Sequence, residues 1–174
     1  LKRPGIYIMN HQSIVDVFLL PAIAPSKSTF LAKKEVKKVP FVSYAMKQGG
    51  CIFVDRKNPE VAIQSLNQGL EKLPKDYSLL IFPEGTRSKD FALKPFKKGV
   101  CHLAIQSGLP VIPLGCTGME EVGGGKSLLI GPGTLKVQVG EPIDTTTWQT
   151  ETIKDHLDLL QESVRKAMET SKGL

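Results

Sequence analysis

The chain has 174 residues, of which 41% are hydrophobic and 23% are charged, values that are ordinary for one globular domain with a buried core. Its formal net charge is +6, and the first 50 residues carry the whole excess, with eight Lys or Arg and two acidic residues. This distribution indicates an anionic partner such as phosphate, anionic lipid or nucleic acid. No apolar run reaches the about 18 residues of a membrane span. Three cysteines without a CxxC pair argue against a disulfide framework or a zinc site and favour a reducing compartment.

A single folded unit is expected over residues 1–174, because no linker, internal repeat or low-complexity tract divides the chain. No signal peptide is visible. The chain begins at Leu1 rather than at a methionine, and it reaches its first histidine, His11, within eleven residues. We therefore expect that an upstream segment is missing from this sequence.

Short apolar runs alternate with helical patterns along the chain, and this alternation indicates an α/β fold around one sheet. Strands are predicted at residues 5–9, 28–33, 51–54, 78–82, 111–114 and 135–139. Helices are predicted at residues 14–20, 59–73, 99–107 and 151–168, and a short helix pair or a helix and a loop at residues 34–48. One face of the last helix is predicted to be buried and comprises Ile153, Leu157, Leu160, Val164 and Met168.

Local signals predict where two of the helices begin and end. Ser13 is predicted to cap a helix over residues 14–20, which Pro21 ends. Asn58 and Pro59 supply a cap and a proline at the first helical position, which predicts the start of the next long helix.

His11 and Asp16 stand five residues apart, directly after the apolar run at residues 6–9. A histidine paired with a carboxylate is a common form of general base. Inside one helix the two side chains would point about 140° apart, so they can meet only if His11 precedes the helix and Asp16 lies in its first turn. A helix N-terminus also suits an ionised Asp16. Alone, the pair is weak evidence for catalysis.

Residues 82–88 (Phe-Pro-Glu-Gly-Thr-Arg-Ser) follow a predicted buried strand. An arginine beside hydroxyl and backbone donors can hold a phosphate through two hydrogen bonds. Gly85 allows the backbone to approach a ligand closely. The alternative is a surface loop with a salt bridge, and the local residues alone slightly favour it.

Four segments occur in a fixed order along the chain. They are Asn10-His11 with Asp16, residues 50–56 (Gly-Cys-Ile-Phe-Val-Asp-Arg), residues 82–87 (Phe-Pro-Glu-Gly-Thr-Arg) and residues 111–114 (Val-Ile-Pro-Leu). This combination resembles the glycerolipid acyltransferase family, most closely the 1-acylglycerol-3-phosphate acyltransferases. The resemblance covers roughly residues 5–118, and residues 32–35 and 95–99 are also in the style of the family.

The resemblance implies a single α/β domain with a central mixed sheet flanked by helices, like that of the glycerol-3-phosphate acyltransferases. It implies transfer of a fatty acyl group from acyl-CoA or acyl carrier protein to the free hydroxyl of lysophosphatidate (1-acylglycerol-3-phosphate), giving phosphatidate. No cofactor or metal ion is expected. His11 would deprotonate the hydroxyl, and Asp16 would orient His11 and stabilise its cation. The hydroxyl oxygen would attack the thioester directly, without an acyl-enzyme.

The resemblance also implies which residues surround the phosphate of the acceptor. Glu84, Gly85, Thr86 and Arg87 would shape this end of the site, and Arg56 and Lys33 are further candidates for phosphate binding. Residues 111–114 would help to line the acyl or acceptor site. Cys116 is not expected to act as a nucleophile, because an apolar strand precedes it and no basic residue adjoins it. His102 is expected to be structural.

A group of lysines lies between the His11–Asp16 pair and the segment at residues 50–56. It comprises Lys33, Lys34, Lys37, Lys38 and Lys47. A solvated face, a surface for anionic lipid headgroups and a nucleic-acid patch are the three interpretations. Interleaved apolar residues at positions 30–42 favour the lipid interface. Nucleic acid is disfavoured, because no binding motif is present and aromatic residues are only 6% of the chain. We therefore expect association with the cytoplasmic face of a membrane, to which the upstream segment expected from the family would contribute.

Three other functions remain open. The acceptor is either lysophosphatidate or another lysophospholipid or lyso-amino lipid. A non-catalytic lipid-binding domain of the same fold is the second alternative. Hydrolysis of the thioester, with His11 activating water, is the third.

Overall fold

The computed structural model describes residues 3–38, 51–55, 59–123 and 131–173, which form six strands and five α-helices. The strands are β1 (Ile6–Met9), β2 (Ser28–Lys33), β3 (Ile52–Val54), β4 (Ser78–Ile81), β5 (Val111–Thr117) and β6 (Lys136–Val139). The α-helices are α1 (Asp16–Ile23), α2 (Pro59–Glu71), α3 (Gly99–Ser107), α4 (Met119–Val122) and α5 (Ile153–Lys172), and two 3-10 helices span Lys34–Lys38 and Thr150–Thr152.

The six strands form one sheet in the order β3-β2-β4-β1-β5-β6. The first five are parallel to their neighbours, and β6 is antiparallel to β5. The predicted central mixed sheet flanked by helices is therefore confirmed. The central strands β1, β4 and β5 are buried along their whole length, which explains why their sequences are apolar without alternation.

Successive residues of the central strands point to opposite faces of the sheet and enter two separate cores. Ile6 and Ile8 of β1 belong to the core that also contains the buried residues of α2, α3 and α5. Tyr7 and Met9 belong to the other core, which α1 covers through Leu20. Helices α2, α3 and α5 on one face, and α1 with the short α4 on the other, make the layers of the domain.

The predicted bounds of α1 are wrong at both ends. The helix begins at Asp16 rather than at residue 14, and its N-cap residue is Val15, which makes no side-chain cap bond; the Ser13 hydroxyl accepts from Val15 N, before the helix. Pro21 lies inside the helix, which continues to Ile23. Proline has no backbone N–H, so the helix lacks one hydrogen-bond donor at Pro21. Burial of Leu20 and packing of Ile23 in the second core stabilise the last turn and offset this loss.

The other elements agree closely with the predictions. The last helix buries Ile153, Leu160 and Val164, as its periodicity indicates, and it extends to Lys172. A short 3-10 helix occupies Lys34–Lys38, and the remainder of the segment predicted at residues 34–48 lies outside the described residues. Asn58, the predicted cap of α2, also lies outside them. Among the described residues, no helix combines the length with the hydropathy of a membrane span.

Candidate active site

The sequence segments with polar motifs meet at the carboxyl ends of neighbouring parallel strands. His11 follows β1, Glu84 follows β4, and Lys33 is the last residue of β2. Since β2, β4 and β1 are adjacent, these ends form one edge of the sheet, which is where open α/β sheets bind their ligands. Arg56 lies outside the described residues.

His11 lies in the turn before α1, and Asp16 is the first residue of the helix, as the angular argument requires. The Nδ1 atom of His11 is 3.0 Å from Asp16 Oδ2. The same oxygen accepts hydrogen bonds from Gln12 N (2.6 Å) and Ser13 N (2.7 Å), which hold the buried carboxylate in place. With Nδ1–H donated to Asp16, His11 Nε2 carries the lone pair, so the pair has the arrangement of a general base.

Phe82 stacks on the His11 ring, with 4.2 Å between the ring centroids and 17° between the planes. Phe30 in turn stacks on Phe82, at 6.3 Å. The imidazole is thus held at its edge by Asp16 and on its face by Phe82. The sequence motif contains Phe82, but no local signal indicated that its ring supports the histidine.

Glu84 is buried, with 1% of its surface exposed, and both of its carboxylate oxygens accept main-chain hydrogen bonds. Oε1 accepts from His11 N at 2.7 Å, and Oε2 accepts from Lys94 N at 3.1 Å. Burial raises the pKa of this carboxyl to about 7, and the two N–H groups oppose that rise. Glu84 therefore contributes to the site by holding the loop and the histidine together rather than by pointing outward.

Gly85, Thr86 and Arg87 form the outer part of this loop. Gly85 has φ 72°, a conformation that glycine adopts without strain, and Thr86 and Arg87 are exposed. Ser88 N donates to His11 O at 2.7 Å, so the loop is tied to His11 at both of its ends. Within the described part of the chain, no carboxylate forms an ion pair with the Arg87 guanidinium. Arg87 is thus an exposed cation on a loop whose backbone is bonded to His11.

Two polar residues next to His11 have contacts that the sequence did not reveal. The Asn10 side chain donates to Cys116 O (2.9 Å) and accepts from Cys116 N (2.8 Å), which joins the end of β1 to β5. The Gln12 amide donates to Phe91 O (2.5 Å), where Phe91 has φ 59°. Both residues position the backbone on either side of His11. Their only sequence signal was a polar residue directly after a buried strand.

A cavity of about 950 Å³ adjoins the loop, between α2 and the start of α3. Ala62, Leu66 and Ile81 contribute to its apolar floor, and Lys97 and Lys98 lie among its lining residues. His102 also lines it, so the expected purely structural role does not describe its position fully. Residues 111–114 are buried within the sheet and are not among the residues that line this cavity.

Stability is expected to depend on pH through Glu84. Its pKa is raised in the folded state from 4.5 to about 7, so between these values the folded protein keeps a proton that the unfolded chain has released. The free energy of unfolding should therefore fall as the pH rises through this interval, by roughly 3 kcal/mol for this group. Urea unfolding at about pH 4 and about pH 8 measures the change.

The matched variant for this experiment is Glu84→Gln, which cannot titrate. The difference between the pH dependences of the two proteins isolates Glu84 from the other ionisable groups. A Glu84→Gln protein whose stability falls with pH as steeply as that of the wild type would contradict the prediction.

Comparison with known proteins finds relatives over most of the chain. The acyltransferase family model matches residues 1–117. The 1-acyl-sn-glycerol-3-phosphate acyltransferase of Limnanthes douglasii is 38% identical over 162 residues, 92% of this chain and 58% of that protein. The Saccharomyces cerevisiae protein of the same name is 38% identical over 170 residues, 96% of this chain and 55% of that protein. This chain therefore spans little more than half the length of these curated relatives.

The fold has a counterpart among solved structures. The crystal structure of the 1-acyl-sn-glycerophosphate (LPA) acyltransferase PlsC from Thermotoga maritima matches with a TM-score of 0.82 and 28% identity. The match covers 100% of this chain and 68% of that one. With the family model, these similarities show that the chain belongs to the acyltransferase family.

Proposed function

We propose that this protein transfers a fatty acyl group from an acyl thioester to the free hydroxyl of 1-acylglycerol-3-phosphate, giving phosphatidate. The observation that carries the proposal is the His11–Asp16 pair joined through main-chain bonds to a loop that presents Arg87. A base and an exposed cation on segments that are bonded to each other suit an acceptor that has both a hydroxyl and a phosphate. The names of the relatives support the same substrate.

The reaction needs only proton transfer and the thioester itself. His11 Nε2 accepts the proton of the acceptor hydroxyl while its oxygen bonds to the thioester carbonyl carbon. The carbon–sulfur bond then breaks, and the leaving thiolate takes the proton back from His11. Asp16, fixed by Gln12 N and Ser13 N, stabilises the imidazolium between the two steps.

A covalent acyl-enzyme is not part of this mechanism. Cys116 and Cys101 are fully buried, and burial raises the pKa of each thiol to about 12, so neither is a thiolate near neutral pH. The Ser13 hydroxyl donates to Gly123 O and accepts from Val15 N. Direct attack by the acceptor is therefore the simpler chemistry for this site.

Thr86 and Arg87 are proposed to bind the acceptor phosphate, with Lys33 and Arg56 as further ligands. Glu84 is proposed to act indirectly, since its oxygens hold His11 N and Lys94 N. The donor is acyl-CoA or acyl carrier protein, and no cofactor or metal ion is required. We further propose that the protein works on the cytoplasmic face of a membrane with an anionic surface, to which the exposed Lys34 and Lys38 are complementary.

The function is tested by incubating the purified protein with lysophosphatidate and either donor, and measuring phosphatidate and free thiol. Thiol release that requires the acceptor indicates transfer, whereas release without acceptor indicates hydrolysis. Competition between lysophosphatidate and other lysophospholipids or lyso-amino lipids identifies the acceptor. If neither donor gives an acylated product, the proposal is wrong. Binding to lysophosphatidate without turnover would then indicate a non-catalytic lipid-binding domain.

Replacement of Phe82 by leucine is expected to lower kcat about 10-fold with little change in KM. The leucine removes the ring that fixes the plane of His11, and a misplaced base costs rate rather than binding. Steady-state kinetics measures the two constants. In NMR spectra the His11 ring protons should also lose their upfield shift from the stacked ring.

The conservative variant Phe82→Tyr keeps an aromatic ring and should recover most of the rate, while Phe53→Leu controls for loss of a half-buried ring elsewhere in the sheet. An equally slow Phe82→Tyr enzyme would show that stacking is not the cause.

A further inference from the structure

Helix α1 exposes apolar residues beside the candidate catalytic base. Phe18 is 73% exposed, Ile14 just before the helix is 37% exposed, and Pro21 and Ala22 are exposed as well. Between His11 and Lys27 the single charged residue is Asp16, which is fully buried. A helix that is apolar on its inner and outer faces is normally covered on both.

The two longest described helices, α2 and α5, differ from α1 because their exposed positions carry charged residues. The exposed face of α5 carries Lys154, Asp155, Asp158 and Arg165, and the exposed Leu159 stands among these charges. The exposed positions of α2 include Glu60 and Glu71. A single exposed apolar residue in a charged face is ordinary for a soluble surface, whereas the α1 face has no such charges.

The position of α1 relative to the site indicates what covers this face. Asp16, which orients His11, is the first residue of the helix, so the apolar face begins within one turn of the base. On the proposed function, on which this inference rests, the acceptor is an amphiphile whose acyl chain lies in a bilayer. An apolar surface at this place lets that chain stay among lipids while its hydroxyl reaches His11.

Charges near the site fit the same partner. The loop bound to His11 through Ser88 N exposes Arg87 and Lys89, which can contact anionic headgroups. Helix α4 exposes Glu120 and Glu121, and its C-cap Gly123 accepts a bond from Ser13. Because acids also lie near the apolar face, insertion of apolar side chains must contribute more to binding than charge does.

We propose that the exposed face of α1 is the surface that docks on the lipid bilayer. Phe18 and Ile14 enter the boundary between headgroups and acyl chains, and Arg87 and Lys89 lie at the level of the headgroups. Docking on this face brings His11 to the depth at which the hydroxyl of a membrane-bound acceptor is found.

The test is co-sedimentation of the 174-residue protein with vesicles of phosphatidylcholine, alone or with phosphatidylglycerol, in the absence of any acyl donor. The wild type should bind both, and phosphatidylglycerol should strengthen binding. Phe18→Glu should weaken binding roughly 10-fold, as expected for losing one inserted aromatic side chain and placing a charge at the interface. Leu159→Glu on α5, an equally drastic change at an exposed leucine, should bind like the wild type.

Two outcomes would overturn the inference. One is vesicle binding that is absent in the wild type or unchanged in Phe18→Glu. The other is a wild-type dimer in sedimentation velocity that Phe18→Glu converts to a monomer, which would assign the face to a second copy of the chain. Since no donor is present, binding is measured independently of turnover, and a protein that docks through Phe18 but transfers no acyl group would contradict the proposed function instead.

Discussion

Replacing His11 with asparagine is expected to lower the rate of acyl transfer to lysophosphatidate by about 10²–10⁴-fold or more. The asparagine amide can still donate to Asp16 Oδ2, which lies 3.0 Å from Nδ1 in the wild type, so the turn before α1 should keep its shape. An amide is far too weak a base to accept the proton of the hydroxyl. Initial rates with saturating acyl donor measure the loss, and the thermal unfolding temperature shows whether the fold is retained.

The matched control is His156→Asn. His156 lies on α5 and stacks on Trp148, and it bonds to Thr152 rather than to any residue near the base. This variant should transfer acyl groups at the wild-type rate. Full activity of His11→Asn would exclude His11 as the base, and the mechanism proposed above would then fail.

A single methyl group added at Gly115 is expected to destabilise the protein strongly. Gly115 lies in β5, and a Cβ atom there would stand 2.1 Å from Met168 N and 2.3 Å from Ala167 C. These are backbone atoms of α5, which cannot move aside as a flexible side chain can, so the helix must shift away from the sheet. Gly115→Ala should lower the free energy of unfolding by about 1–3 kcal/mol or more, as measured by urea titration.

Gly99→Ala is the matched control, because it makes the same chemical change in an open position. Within the described residues, no atom other than those of its chain neighbours and its own helix backbone lies within 4 Å of a Cβ at Gly99, the first residue of α3. Alanine is the better helix former, so this variant should be neutral or up to about 1 kcal/mol more stable. Equal losses at the two glycines would show that the contact with α5 does not determine the effect at Gly115.

The elements of the fold were largely predictable because their signals are local. Buried strands such as β1 and β4 are short apolar runs, and α5 shows its buried face as a helical period. The exception is α1, for which a Ser13 cap and a stop at Pro21 were both wrong. At the start of α1, other local hydrogen bonds replaced the expected cap, since Ser13 N donates to Asp16 and the Ser13 hydroxyl accepts from Val15 N. At its end a tertiary contact, the packing of Ile23 in the second core, extended the helix beyond Pro21.

The sequence by itself determined the His11–Asp16 pair, because the contact spans five residues and helix geometry allows only one arrangement of it. It also carried the order of motifs that identifies the family. Only the tertiary structure decided that β2, β4 and β1 are neighbours, and hence that the loop with Arg87 reaches His11.

The same holds for the contacts that surround the base. The hydrogen bond from His11 N to the Glu84 carboxylate joins residues 73 positions apart, and the hydrogen bond from Asn10 to Cys116 O joins residues 106 positions apart. Such contacts depend on how strands and loops pack across the sheet, and no pattern within a short window of residues encodes them. Local physics therefore specified the chemistry of the histidine, and packing between distant segments specified its surroundings.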